Sequence, residues 1–353
     1  MTTNIVGIDM GSTGLRAVEL SVGKGSALTV VRYHSVPLPD GAVSRGEVME
    51  PNTVAATLKR LWSEGKFSSK KVVIGVGNHR VLARDLTVQK MSLTRIRESL
   101  PFLVEEMIPV PVAEALLDFY PIAEVETDKG TEISGLLIAA VKEAVLGNVK
   151  AVQLAGLTPL DVDLIPFALS RSITDSPAAA GSGSAAIAHI DVGAGTTTVV
   201  VTIAGVPQFI RLIPTGGQDL TQALAVRLGM DPAVAEERKR TLGLSKNNAQ
   251  ADDTEPIDLI REVTTELLNS LRNTVNYFTN TRHTTPVSAI VITGGGARLG
   301  GFTTALASLT RLPVTAPAAP TNLSYGKDVT AEAFSANHND YFVALGLAMG
   351  AHS

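Results

Sequence analysis

Short β-branched runs alternate along the chain with longer segments of helical period. The runs Ile5 to Ile8, Leu28 to Val31, Val72 to Val76, Ala185 to Ile190, Thr197 to Ile203 and Ser288 to Ile292 have the length and composition of strands. Their alternation with helix-length segments predicts an α/β chain with two sheets. From Ser92 to Ile108 the apolar residues Leu93, Ile96, Leu100, Leu103, Val104, Met107 and Ile108 recur at spacings of three and four, the pattern of one apolar helix face. Pro109 and Pro111 stop that helix, and core packing is its simplest use. A second helical segment, Ile257 to Tyr277, follows a polar, acidic surface loop at Asn247 to Glu255.

The opening pattern returns in the second half. Ile8-Asp9-Met10-Gly11-Ser12-Thr13 and Ile190-Asp191-Val192-Gly193-Ala194-Gly195-Thr196-Thr197 each read as a strand ending in Asp, a glycine turn with hydroxyls, and another strand. The small, turn-rich stretch Ser176 to Ser184 separates the copies and predicts a linker. The expected division is a first lobe of residues 1–184, with a core of 1–84 and 162–184 and an inserted subdomain at about 85–161. The second lobe, 185–353, has a core of about 185–230 and 286–339 and an insertion at about 231–285. Residues 340–353 are expected to form a helix returning to the first lobe.

Composition narrows the classes. With 353 residues, 45% hydrophobic and 18% charged, the chain can build two cores and is too apolar for disorder. A net charge of −4 without a basic cluster disfavours nucleic acid. The absence of cysteine excludes disulfides, thiolate metal sites and a cysteine nucleophile. No apolar stretch approaches the roughly 18 residues of a membrane span, and the N-terminus lacks a signal-peptide pattern, so a cytosolic location is expected. His34, His79, His189, His283, His338 and His352 show no i, i+4 pairing that would suggest zinc. Neither G-x-x-x-x-G-K-S/T nor a strand-to-helix G-x-G-x-x-G occurs, which disfavours Walker-type and Rossmann-type sites.

Three glycine turns remain as candidate chemistry. In Asp9-x-Gly11-Ser12-Thr13-Gly14 the glycine permits a tight turn, the hydroxyls suit phosphate oxygens, and Asp9 suits a metal-bound water. Alone, such a string also fits a plain β-turn. The second turn, from Asp191 through Gly193, Ala194, Gly195, Thr196 and Thr197, changes that balance. Two hairpins from two halves would clamp a triphosphate, with Asp9 and Asp191 about one hydrated Mg²⁺. The third turn, Gly294-Gly295-Gly296-Ala297-Arg298, follows a strand and admits a flat ligand such as adenine, or forms a flexible loop.

In this order and separation, the three turns resemble the phosphate 1, phosphate 2 and adenosine motifs of the actin, heat-shock ATPase and sugar-kinase superfamily. Within it, FLVEEMIPVPVAEALLDFYPI, LLIAAVKEAVLGNVKAVQLAGLTPLDVDLIPFAL, IPTGGQDLTQALA and AEERKRTLG resemble the PilM family of type IV pilus assembly proteins. The resemblance spans nearly the whole chain. It implies an actin-like (ribonuclease H-like) duplicated α/β fold, two lobes around a nucleotide cleft, and an FtsA-type inserted subdomain. It further implies ATP and Mg²⁺ as cofactors, with Asp9 and Asp191 at the metal. Gly11, Ser12, Thr13, Gly193, Ala194, Gly195, Thr196 and Thr197 are then phosphate-turn residues, and Arg16 reaches the phosphates. Gly216 and Gly217 cover the nucleotide, Glu236 and Lys239 embrace ribose and adenine, and Gly294, Gly295, Gly296 and Arg298 sit at the adenosine. An exposed charged helix face is the alternative for Glu236 and Lys239.

Two departures from the superfamily bear on turnover. Thr198 stands where actin has a histidine, and Ile165 where relatives place Gln or an acid near the attacking water. Slow turnover at most is therefore expected. The resemblance also implies a partner, the cytoplasmic N-terminal tail of a PilN-like inner-membrane protein, gripped between the first lobe's core and the insertion. Pilus motor or platform proteins are further candidates, with recruitment to the inner face of the membrane. The competing readings are an FtsA- or MreB-like filament-forming ATPase and a sugar-kinase-type phosphotransferase. The final ALGLAMGAHS lacks the basic amphipathic face expected of an FtsA membrane helix, and no carboxylate base for a kinase stands out.

Overall fold

A computed structural model describes residues 4–23, 27–128, 130–173, 185–244, 253–281, 285–318, 320 and 322–351. The linker expected at Ser176 to Ser184 lies outside the described residues, as does most of the loop expected at Asn247 to Glu255. The first lobe opens with β1 (Asn4–Met10), β2 (Gly14–Val22), β3 (Leu28–Pro37), a small hairpin of β4 (Val43–Ser44) and β5 (Glu47–Val48), α1 (Pro51–Gly65) and β6 (Lys71–Val76). There follow β7 (Val81–Gln89), α2 (Leu93–Leu103), β8 (Ala115–Thr127), β9 (Gly130–Val141), α3 (Lys142–Leu154), β10 (Thr158–Leu164) and α4 (Ile165–Ile173). The second lobe comprises β11 (Ala186–Val192), β12 (Thr197–Ile203), β13 (Val206–Ile213), α5 (Gly217–Arg227), α6 (Pro232–Leu242), α7 (Thr254–Thr281), β14 (Val287–Thr293), α8 (Phe302–Thr310) and β15 (Val314–Thr315). The chain ends with β16 (Leu323–Tyr325), α9 (Ala331–Asn337) and α10 (Phe342–Gly350).

The predicted duplication is visible in strand order. One sheet runs β10-β6-β1-β2-β3-β16, the other β15-β14-β11-β12-β13. β1, β2 and β3 pair antiparallel as do β11, β12 and β13, whereas β6 joins β1, and β14 joins β11, in parallel. Alternation in β1 sends Val6, Ile8 and Met10 to one face, packed on Leu58 and Leu61 of α1 and Ala151 and Val152 of α3. Ile5 points the other way, to Ala168 of α4 and Val343 and Leu347 of α10. A further core joins both lobes and the insertion, through Val76, Leu164, Leu136, Ile138, Val200, Val291 and Phe342.

The inserted subdomain is an antiparallel sheet, β7-β9-β8, under α2. Its limits differ from the expectation of 85–161. The sheet spans 81–141, while α3 packs on α1 and β10 pairs with β6. Helix α2 also ends at Leu103 rather than at Ile108, because Pro101 lies inside its last turn and interrupts the regular ladder. Ile96, Leu100, Val104 and Ile108 still reach the local core, but Leu103 is half exposed.

The second lobe departs in the same way. Leu220 and Leu224 of α5 pack with Ala235 of α6 and Ile260 of α7, so the helical subdomain begins at α5 and not at residue 231. Leu267, Leu271, Val275 and Phe278 of α7 belong to the core beneath the second sheet. The return to the first lobe begins at β16, which pairs with β3, well before residue 340. Phe334 of α9 and Leu345 of α10 then close a core with Val18, Leu20 and Val30.

His189 of β11 is buried, its Nε2 2.9 Å from Thr202 Oγ1, and its Nδ1 has no partner among the described residues. Burial pushes its pKa down to about 4 from 6.5. The folded chain keeps this ring neutral, so its contribution is complete above pH 6.5 and is lost as pH falls towards 4. Urea unfolding at stepped pH is expected to show a loss of up to about 3 kcal/mol across that window, flattened by His189→Gln.

Candidate functional site

Each lobe delivers one hairpin to a common cleft. Asp9 of β1 sits opposite Arg16 of β2, and Asp191 of β11 opposite Thr198 of β12. The turns close with the same bond, since Gly11 N–H donates to the Gly14 carbonyl (3.1 Å) and Gly193 N–H to the Thr196 carbonyl (2.9 Å). They approach so closely that a methyl group on Gly195 would lie 3.1 Å from Ser12 Oγ.

The cleft has a volume of about 870 Å³, within the range of small-molecule sites. The first lobe lines it with Asp9, Gly11, Ser12, Thr13 and Arg16. From the second lobe come Asp191, Gly193, Ala194, Gly195, Thr196, Gly216, Gly217, Glu236, Lys239, Gly294, Gly295, Gly296 and Arg298. Of the residues expected at the site, only Thr197 lies elsewhere. It is fully buried, and its hydroxyl donates to the Thr215 carbonyl at 2.7 Å, bracing the turn from behind.

Two carboxylates face this cleft under electrostatic strain. Burial raises the pKa of Asp9, opposed by Arg16, whose Nη1 stands 3.4 Å from Oδ2. Burial also lifts Asp191 to about 6. The Thr293 hydroxyl, donating at 2.9 Å, works against that rise, and the nearby Asp9 charge adds to it. Arg16 offsets the burial of both carboxyls, pairing with Asp9 and acting on Asp191 through its charge.

Helix α6 contributes Glu236 and Lys239 on one face, one turn apart. Lys239 Nζ donates to Glu236 Oε2 (2.6 Å), Thr221 Oγ1 (2.9 Å) and the Gly217 carbonyl (3.0 Å), and Arg240 Nε donates to Glu236 Oε1 (2.7 Å). Burial works to raise the pKa of Glu236, but donation from Lys239, Thr221 and Arg240 prevails and holds it at about 2. The pair is thus a fixed polar wall rather than a mobile surface face.

Glycine is required at two positions here. Gly294 has φ +89°, and a Cβ there would lie 2.3 Å from the Val192 carbonyl oxygen. A Cβ on Gly216 would meet the Gly193 and Ala194 carbonyl oxygens, each at 2.5 Å. That close approach lets Gly217 N–H and Gln218 N–H donate to the same two carbonyls, at 2.9 and 2.7 Å. The Thr215–Gly217 turn is thereby laced onto the second hairpin.

Several cleft residues were not singled out from the sequence: Thr221, Asn339 and Asp340 line the cleft, and Thr221 stands four residues after Gly217 on α5 and so shares its helix face. Arg298 is held by Asp340 at 2.6 Å. Asn339 lines the cleft with a buried Oδ1 that has no donor among the described residues, a vacancy suited to a polar ligand. Ile165 and Thr198 also line the cleft.

A duplicated five-strand unit, with paired Asp-ended hairpins meeting across an interlobe cleft, defines an actin-like protein of the ATPase superfamily. The chain belongs to the family described as type IV pilus assembly protein PilM, which it matches over residues 7–352. It is similar to the solved PilM-PilN type IV pilus biogenesis complex, at 28% identity and a TM-score of 0.84, over 99% of this chain and 98% of that one. MreB 5 of Spiroplasma citri bound to AMPPNP shares the fold at 11% identity and a TM-score of 0.54, over 98% of this chain and 95% of that one. The cell division protein FtsA of Bacillus subtilis (strain 168) is 21% identical over 277 residues, 70% of this chain and 60% of FtsA, so the match spans less than two thirds of that relative. No helix among the described residues is long and apolar enough to cross a membrane.

Proposed function

We propose that this pilus assembly protein is a cytoplasmic ATP-binding scaffold, recruited to the inner face of the membrane by the N-terminal cytoplasmic tail of a PilN-like protein. The observation that carries the nucleotide half is the convergence of Asp9 and Asp191, from two matched hairpins, on one cleft of about 870 Å³. The partner half is supported by likeness to a PilM-PilN complex along almost the whole chain.

In this reading the hairpin turns and Arg16 take the phosphates, Gly216 and Gly217 cover them, and Glu236, Lys239, Gly294, Gly295, Gly296 and Arg298 surround the adenosine. Among the described residues no group of three or more His, Cys, Asp or Glu side chains forms a metal centre. Asp9 and Asp191 are the residues that would hold Mg²⁺, an ion that keeps most of its waters and needs few carboxylates. Ile165, an aliphatic side chain at the cleft, cannot orient a nucleophilic water, so binding energy is directed to lobe closure rather than turnover.

Calorimetric titration with Mg-ATP, then with a PilN-tail peptide, tests this reading beside a phosphate-release assay. Saturable binding of both with negligible release is the expected result. Rapid release without peptide binding would overturn it in favour of a phosphotransferase, and nucleotide-dependent pelleting would favour a filament former.

A further inference from the structure

The β4–β5 hairpin has no part in the nucleotide reading, yet it belongs to the first lobe and touches both the second lobe's Pro214–Asp219 turn and the root of the insertion. Its tip is a two-residue turn in which Arg45 (φ +47°) and Gly46 (φ +80°) both take the left-handed backbone that so tight a hairpin demands. That turn points the guanidinium across to the second lobe. Arg45 Nη2 donates to Asp219 Oδ1 at 2.8 Å, and Nη1 donates to the Pro214 carbonyl. Asp219 is no ordinary surface acid, because its Oδ2 accepts from Gly216 N–H at 2.8 Å and so fixes the turn that covers the cleft. One first-lobe side chain therefore grips that turn from both sides of its glycines.

The other side of the hairpin rests on the root of the inserted subdomain. The Gly46 carbonyl accepts from Asn78 Nδ2 (3.4 Å), and the fully buried Asn78 accepts in turn from Arg80 N–H (2.9 Å) just before β7. Glu47 pairs with Arg80 (3.3 Å), and Arg80 reaches Glu143 (3.4 Å) just after β9. Both chain crossings into residues 81–141 are thereby tied to the hairpin.

We propose that the β4–β5 hairpin relays the state of the cleft to the inserted subdomain, with Arg45 as the positioning residue that reads the Pro214–Gly217 turn. The proposal rests on the nucleotide reading above and adds to it the route by which a filled cleft changes a distant partner surface. When the turn closes over a ligand, Arg45 has both acceptors in reach and pulls the hairpin with it. When the turn lifts, the hairpin and the subdomain root are released together.

The test compares full-length wild type with Arg45→Ala and Arg45→Lys, using Mg-ATP. Arg45 is partly exposed, so its loss is expected to leave the fold intact. The readings are release of a fluorescent ATP analogue, and amide exchange at Gly193–Gly217 and across 81–141, each with and without saturating Mg-ATP. In the wild type, nucleotide is expected to slow exchange both at Gly193–Gly217 and within 81–141. In Arg45→Ala, protection persists at Gly193–Gly217 but disappears within 81–141, and release is about fivefold faster; Arg45→Lys falls between. Transmission by Arg45→Ala equal to wild type, or no nucleotide effect on 81–141 in a wild type whose cleft is protected, overturns the relay alone. A wild type with no cleft protection overturns the nucleotide reading and the relay with it.

Discussion

Asp191→Asn is expected to make the ligand-free protein more stable and, in the same stroke, to deprive it of Mg-ATP. Burial lifts the Asp191 pKa from 3.8 to about 6, so at neutral pH the folded chain holds an anion that the unfolded chain carries at no cost. The penalty is complete above pH 6, recedes as pH falls, and is gone below about 3.8. Removing the charge is worth up to about 2–3 kcal/mol at pH 8. The Thr293 hydroxyl still finds an acceptor in the asparagine oxygen, so the local geometry survives. Thermal unfolding at pH 8 and pH 4 checks the first half: the variant melts higher at pH 8, and the gap closes at pH 4. Titration checks the second half, because affinity for Mg-ATP is expected to fall at least tenfold while affinity for ATP without metal changes little. Equal losses with and without metal would remove Asp191 from the ion. Wild-type Mg²⁺ affinity is likewise expected to weaken as pH drops through about 6, where Asp191 takes up its proton.

Asp191 was legible in the sequence for the same reason that Asp9 was. A strand ending in Asp before a glycine turn is a local device, fixed by a few consecutive residues, and its repetition marked both copies. Strands β1, β3, β6, β11, β12 and β14 were equally local, whereas β10, β13, β15 and β16 of the same two sheets were not read. What the sequence concealed depends on contact across the chain. Arg45 and Asp219 are 174 residues apart and meet only because the lobes dock. Nothing near Val43-Ser44-Arg45-Gly46-Glu47-Val48 foretells more than a small hairpin. Strand β8 escaped because Glu124 to Thr127 are exposed and break its alternation, and β9 because its continuous buried run, Leu136 to Ala140, has no period that separates strand from buried helix. Thr197 was misplaced because a hydroxyl beside a glycine turn reads alike whether it faces ligand or backbone. Its place in the strand register sent it inward, to the Thr215 carbonyl.

The inserted subdomain's limits were misread for a related reason. Helix α3 and strand β10 follow the insertion without any break in composition, and only their partners, α1 and β6, assign them to the first lobe. Hydrophobic period predicts that a face will be buried, not which neighbour will bury it. The same ambiguity let α7 be placed wholly in the second insertion, although its two halves serve different cores.

Neighbouring glycines of the third turn separate folding from binding. Gly294→Ala is expected to unfold the second lobe's cleft edge, since alanine resists φ +89° and its Cβ would lie 2.3 Å from the Val192 carbonyl oxygen. Val192 is the buried last residue of β11, next to Asp191, so the clash cannot be relieved without moving the strand end that carries Asp191. The combined cost is about 2–5 kcal/mol, visible as a lower melting temperature with or without nucleotide. Gly295→Ala is a different substitution. A Cβ there meets nothing within 4 Å, and Gly295 lines the cleft, so the methyl group occupies space that only a ligand would otherwise fill. Its melting temperature without ligand should match wild type, while affinity for ATP drops, and more steeply in Gly295→Val. Were Gly295→Val to bind ATP as well as wild type, the adenosine would have to lie elsewhere along the cleft. Were Gly294→Ala to melt like wild type, the left-handed backbone at that position would not be what holds β14 to its turn.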